Sequence, residues 1–172
     1  MDVQTALQNM LKFYTDPILQ IQALIKIIEQ YGYNSELNQI TTSQKEYDVV
    51  RFYALVLIGS VVPTAEFTSS TTTEQIASQL NMIFEAEFEY QSDMNVFEYL
   101  SDLQAECVGL IQSDGYGLPQ LISYTSKTSQ PSCVVAQVLY QDGTRADEIV
   151  QRNNAQTVHP MFMPLTLEVL SE

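Results

Sequence analysis

From residue 1 to about 112, apolar residues recur every three or four positions. At Gly115-Tyr116-Gly117-Leu118-Pro119 that rhythm stops and shorter runs take over. A spacing near 3.6 makes helices and a spacing of 2 makes strands, so a chain with this break does not form one uniform fold. The expectation is a mainly α protein: a helical body, a bundle or hairpins, over residues 1–114, followed by a small α+β module over residues 119–172. A length of 172 residues accommodates one compact domain or two small ones.

Within the helical part, Val3, Leu7, Met10, Leu11 and Tyr14 define a first helix that stops at Thr15-Asp16-Pro17. The same residues start the second, with a polar N-cap and a proline at the first helical position, where its missing N–H is harmless. Ile18, Ile21, Leu24, Ile25 and Ile28 line one face, and Gly32 supplies the stop. Ser43-Gln44-Lys45-Glu46 has capping-box spacing ahead of Tyr47, Val50, Ala54, Leu57, Ile58 and Val61, and Pro63 closes that third helix. Thr68 to Thr73 reads as a polar linker whose last threonines cap a fourth helix carrying Ile76, Leu80, Ile83, Phe84 and Phe88. Ser92 or Asp93 opens a fifth, in which Val96, Leu100, Leu103, Cys107 and Leu110 form the seam of a helical hairpin.

Beyond Pro119, Leu121 to Thr125 reads as a strand, as does Leu165 to Leu170 with its alternating Leu, Leu and Val. Between them lie two helical patterns. One follows Pro131 and carries Val134, Val135, Val138 and Leu139; the other runs from Arg145 to Asn153 with Ile149 and Val150 inward, after a turn at Asp142-Gly143. The order is β-α-α-β over about 50 residues.

Seven Lys and Arg stand against 21 Asp and Glu, a net charge of −14, and no basic residue lies between Arg51 and Lys127. Ten acidic residues fall in that interval, which makes the middle of the chain an acidic surface facing solvent or a basic protein partner. Direct nucleic-acid contact is excluded on the same ground, because that binding depends on Lys and Arg displacing condensed counterions. An apolar content of 45%, with 10 Tyr and 7 Phe, is enough to fill a core despite the charge. The longest apolar run, Phe52 to Val62, is short of the roughly 20 residues that span a bilayer, so no membrane segment is expected. Met-Asp-Val-Gln has neither the basic nor the apolar region of a signal peptide, from which synthesis and retention in the cytoplasm are expected.

No catalytic constellation emerges. The one histidine, His159, sits in His159-Pro160-Met161-Phe162-Met163-Pro164, which reads as an extended, proline-restrained connection into the last strand, with the histidine fixing a turn or a contact. No Gly-x-Ser-x-Gly elbow or cysteine signature accompanies it. Cys107 and Cys133 belong to no metal-binding pair and read as buried thiols. Glu85, Glu87 and Glu89 cannot converge on a metal, since residues i and i+2 of a helix point about 200° apart; they read as a solvated face. Phosphate-cradling glycine loops are absent from the sequence. No enzyme activity, cofactor or metal is expected.

The last 40 residues carry two resemblances. Val135-Ala136-Gln137-Val138-Leu139-Tyr140, Gln141-Asp142-Gly143, Ile149 to Asn153 and Pro164 to Leu170 are similar to LysM and the LysM-like modules of phage tails. More closely, Ala136, Leu139-Tyr140, Asp142, Arg145-Ala146-Asp147-Glu148-Ile149-Val150, Arg152-Asn153, the His159 to Pro164 segment and Leu167-Glu168-Val169-Leu170 resemble, in order, the C-terminal end of the DNA circularisation proteins of Mu-like phages. Phe88 to Asp93 adds a looser likeness to that family's middle region. The family's large N-terminal domain has no counterpart here, and Met163-Pro164-Leu165-Thr166 replaces the Gly-Gly usual before the last strand.

Despite the family's name, the resemblance implies a structural part of a contractile tail's baseplate hub. It implies location in the virion, a symmetric oligomer, and hub, tube, wedge or spike proteins as partners. Tyr140, Arg145, Arg152, His159 and Phe162 are the candidate interface residues, since Arg and aromatic side chains are enriched in interface hot spots. The competing reading has Tyr140 and Phe162 filling the module's own core and Arg145 and Arg152 pairing locally with Asp147 or Glu148. The LysM likeness leaves a second function open, recognition of peptidoglycan glycan.

Overall fold

The computed structural model describes residues 2–42, 44–154 and 157–171. Ser43, and with it the capping-box reading, lies outside the described residues. The protein is mainly helical. It divides into two units, Met1–Thr68 with Thr72–Tyr116, and Ser69–Thr71 with Gly117–Glu172.

The first unit begins with α1 (Val3–Leu11) and α2 (Pro17–Gln30). Asp16 caps α2 by accepting the Ile18 N–H at 2.8 Å, and the proline follows at once. Gly32, at φ +103°, reverses the chain past the end of α2, a conformation in which a side chain is strained. Its carbonyl accepts the Thr41 N–H at 2.8 Å, which closes a hairpin of β1 (Tyr33–Asn34) and β2 (Gln39–Ile40). Asn34 Oδ1 organises the hairpin turn by accepting the N–H groups of Glu36 and Leu37.

Helix α3 (Lys45–Val61) packs against α1, α2 and α5 (Met94–Gly115). Ile21, Leu24 and Ile28 of α2 and Ala54, Leu55 and Ile58 of α3 are excluded from water. With the 3-10 turn after it, this helix forms a stretch of 20 residues with mean hydropathy 1.3, long and apolar enough by length and composition to cross a membrane, and longer than the run read from the sequence. In this unit it is the central core helix, with Leu57 and Val61 buried as well.

Helix α4 (Ser70–Tyr90) starts inside the segment expected to be a linker. Thr71, Thr72 and Thr73 therefore sit in its first turns, and Ser69 and Thr73 are buried. Asp93 caps α5 through the Asn95 N–H at 2.9 Å. The α5 seam keeps Leu100 and Cys107 buried but leaves Leu110 exposed, and Ile111 takes the inward place. Gly115 ends α5 against Thr73, where an added Cβ would come within 2.9 Å of the Thr73 Cβ.

In the second unit β3 (Leu121–Thr125) pairs antiparallel with β4 (Thr166–Leu170), Leu121 opposite Leu170 and Thr125 opposite Thr166. Between them lie α6 (Ser132–Tyr140), a 3-10 turn (Gly143–Arg145) and α7 (Ala146–Arg152). Val135, Ala136, Ile149, Val150, Met163, Leu167 and Val169 form the core, with Tyr124, Leu139 and Tyr140 packed on it. Leu167 and Val169 alternate with exposed Thr166 and Glu168, as a strand with one covered face requires, and Leu170 at the strand end is buried as well. Val134 and Val138 point to water, because α6 can turn only one stripe inward and Val135, Ala136 and Leu139 occupy it. Cys133 lies on the same outer side and is exposed, contrary to the expectation of two buried thiols. Ser70 and Thr71 belong to this unit: the Ser70 N–H donates to the Pro119 carbonyl, and the Leu121 N–H donates to Thr71 Oγ1, both at 3.0 Å.

Candidate functional site

Helix α6 ends at Gln141, which adopts φ +53°, and Asp142 then caps the following turn by accepting both the N–H and the hydroxyl of Thr144, at 2.9 and 2.6 Å. The Thr144 hydroxyl, then the Thr144 N–H, hold the Asp142 carboxyl below its usual range. This turn sets Arg145 over the ring of Tyr140, its guanidinium carbon 3.7 Å from the ring centroid. Arg145 also donates to both carboxylate oxygens of Glu148, at 2.9 and 3.2 Å, one turn along α7. Arg152, a further turn on, approaches the same carboxylate at 3.7 Å. Glu148 therefore serves both arginines, and Arg152 Nε is buried with no hydrogen-bond partner among the described residues.

Tyr140 belongs half to the core: its ring packs there, and its hydroxyl accepts the Leu170 N–H at 2.9 Å, tying α6 to the end of β4. Asn153 makes the corresponding tie from α7. It donates to the carbonyls of Ile149 and Glu168 and accepts the Glu168 N–H.

The His159 segment is a turn, not the extended connection expected from its prolines. The Phe162 N–H donates to the His159 carbonyl at 2.9 Å, placing Pro160 second in the turn, where its fixed φ is favoured. The imidazole Nδ1 accepts the Met161 N–H at 3.1 Å, so the histidine side chain braces the turn it begins. The Pro160 carbonyl in turn accepts the Ser132 N–H at the start of α6. Met163 is pinned into the core, its N–H on the Gln130 carbonyl and its own carbonyl accepting the Ser129 hydroxyl. Phe162, by contrast, is 73% exposed, so the reading that it fills the core fails: Met163 holds that place. The structure thus brings Tyr140, Arg145 and Arg152 into one group and His159 and Phe162 into another, ring centroids 5.8 Å apart in the latter.

What this surface offers is contact. Two arginines are held by a shared carboxylate, one stacked on a tyrosine, and Met161, Phe162 and Leu165 expose apolar side chains near a braced turn. His159 is exposed, and of its two ring nitrogens Nδ1 is engaged in the turn. Among the described residues no group of three or more His, Cys, Asp or Glu is placed to hold a metal ion.

The first unit contains a polar cluster that the sequence reading missed. Arg51 is fully buried; its Nε donates to Glu87, its Nη1 to the Tyr31 carbonyl at 2.9 Å and its Nη2 to Asp48 at 2.8 Å. Tyr90 donates to the other oxygen of Asp48 at 3.2 Å, and its ring lies 5.1 Å from the guanidinium. Glu87 is thus buried, not part of a solvated face. Burial pushes its carboxyl above the usual range, against the lowering pull of Arg51. Burial would pull the Arg51 pKa down, but hydrogen bonds to Glu87 and Asp48 outweigh it and raise it. The sequence did carry a signal: Glu87 follows Ile76, Leu80, Ile83 and Phe84 at core spacing, and Arg51 interrupts the apolar face of α3. The cluster joins the end of α2 to α3 and α4, a structural role.

The chain matches no protein-family model, and no curated protein aligns with it in sequence.

Proposed function

We propose that the protein is a non-enzymatic structural subunit of a contractile-tailed phage baseplate, near the hub, which joins tail proteins through protein–protein contacts. In this reading residues 1–114 form a helical bundle and residues 119–172 a LysM-like β-α-α-β module. The observation that carries it is the ordered resemblance from Ala136 to Leu170. The roles of those residues support it. Ala136, Leu139, Ile149, Val150, Leu167 and Val169 make or line the core, Asp142 and Asn153 fix the connections, and His159 braces the turn. Phe162, 73% exposed, is then available to anchor a partner, as is the Arg145–Tyr140 stack of the same unit. Partners of this kind are tail tube, spike, wedge or hub proteins arranged about a symmetry axis, with the subunit resident in the virion.

Electron microscopy of particles produced without this protein tests the reading: absent or malformed tails are expected, and normal infectious tails would refute it. A pull-down on purified cell walls tests the glycan alternative. Retention that is lost on Tyr140→Ala would replace the structural reading with glycan recognition.

A further inference from the structure

We propose that the first unit carries a docking groove for a basic amphipathic helix of a partner protein. The inference rests on that unit's own surface and is independent of the tail assignment. A groove of about 310 Å³ is lined by Asp48, Val49, Phe52 and Tyr53 of α3, Gln91, and Val96 of α5. Its walls are aromatic: Phe52 contacts Tyr53 and Tyr99, with ring centroids 5.9 and 5.8 Å apart. Beside them Phe97 packs on Phe88 at 4.9 Å. Val49 in the groove wall and Tyr99, whose ring meets Phe52, remain 44 and 46% exposed, apolar surface that no described residue of this unit covers.

Charge selects the occupant. Glu46 precedes Val49 by one turn of α3, and Asp93, Glu98 and Asp102 surround Val96 and Tyr99 on α5, all four exposed. Of the two cations on α3, Arg51 is buried and neutralised, which leaves Lys45 alone in water at the helix start. The next basic residue along the chain is Lys127, in the second unit. An apolar floor with acidic flanks fits a helix that presents large apolar side chains at i, i+3/i+4 and i+7 and Lys or Arg beside them. A second copy of this acidic unit would bring like charges together, which disfavours it as the occupant.

The test uses the full chain and two fluorescein-labelled model helices with the same Leu pattern, one carrying Lys on its polar positions and the other Glu. In fluorescence anisotropy the Lys peptide is expected to bind and the Glu peptide not. Raising the salt from about 50 to about 500 mM should weaken binding about tenfold or more. Val49→Lys and Tyr99→Lys should each cost about tenfold, whereas Leu19→Lys, an exposed residue of α2, should leave binding unchanged. Amide shifts on titration should concentrate at Val49, Phe52, Tyr53, Gln91, Val96 and Tyr99. Equal binding of both peptides, equal effects of Val49→Lys and Leu19→Lys, or shifts spread over the whole acidic surface would overturn the proposal. So would sedimentation of the free protein as a dimer that Val49→Lys dissociates, because a second copy would then hold the groove.

Discussion

Arg51 of α3 and Glu87 of α4 form an ion pair across 36 residues of sequence with both side chains out of water. Such a pair contributes little relative to apolar residues of the same volume, but it is costly to break, because one charge is then left buried and alone. Glu87→Gln and Arg51→Met are each expected to lose about 3–5 kcal/mol of unfolding free energy in chemical denaturation. The double variant Arg51→Met/Glu87→Leu should be more stable than either single one. The pH dependence has a definite sign. Without Arg51, Glu87 keeps the burial that raises its pKa and loses the group that lowers it. A carboxyl whose folded pKa is raised favours the native state below its unfolded pKa and loses that contribution as pH rises through the folded one. The deficit of Arg51→Met should therefore be smaller near pH 4 than at pH 7.

The two cysteines should separate cleanly. Cys133 is exposed and should react with a maleimide in the native protein, while Cys107 should react only on unfolding. Burial pushes the Cys107 thiol from 9.0 up to about 11. Its contribution to stability is fully present below the unfolded value and is lost as pH climbs through the folded one. Between pH 9 and about 11 the wild type should lose about 2 kcal/mol more than Cys107→Ala, read from paired denaturation curves.

Adjacent residues of the His159 turn should behave oppositely. Met163→Ala empties a fully buried site and is expected to cost about 2–5 kcal/mol. Phe162→Ala removes a side chain already in water and should leave stability within about 0.5 kcal/mol. If Phe162 is a partner anchor, that variant should fold normally and yet fail to assemble into particles.

Asn153→Ala removes the two hydrogen bonds that fasten the end of α7 to Glu168 of β4, and a third to the Ile149 carbonyl within the helix, and should cost about 1–3 kcal/mol. Faster amide exchange at Glu168 and Leu170 than in the wild type would locate the loss.

The features legible in the sequence were those set by near neighbours. The Asp16-Pro17 start of α2, the Asp93 cap of α5 and the apolar pattern of β4 each follow from a few adjacent side chains. The 33–40 hairpin was missed because strands of two residues are too short to show a period, and its order comes from Asn34 and from Asn38 at φ +49°. Leu110 was read as inward from a strict heptad. A straight helix drifts about 20° per heptad, and within two heptads the buried stripe passes to Ile111. Burial of Glu87 depends on an arginine 36 residues away, which no local pattern reports. For the candidate surface, residue identities were readable; which aromatic faces water was not, because Phe162 and Met163 differ only in the turn that His159 braces.

The β3–β4 pairing has a consequence in time. Even its nearest partners, Thr125 and Thr166, are 41 residues apart, so at about 5–20 residues per second a ribosome leaves β3 without its mate for roughly 2–8 s. During that interval the backbone of Leu121–Thr125 presents an open edge and Ile122 and Tyr124 lack a covering strand. Each newly made chain therefore passes through a window in which a neighbour's strand, or a chaperone, competes for the place that β4 will take.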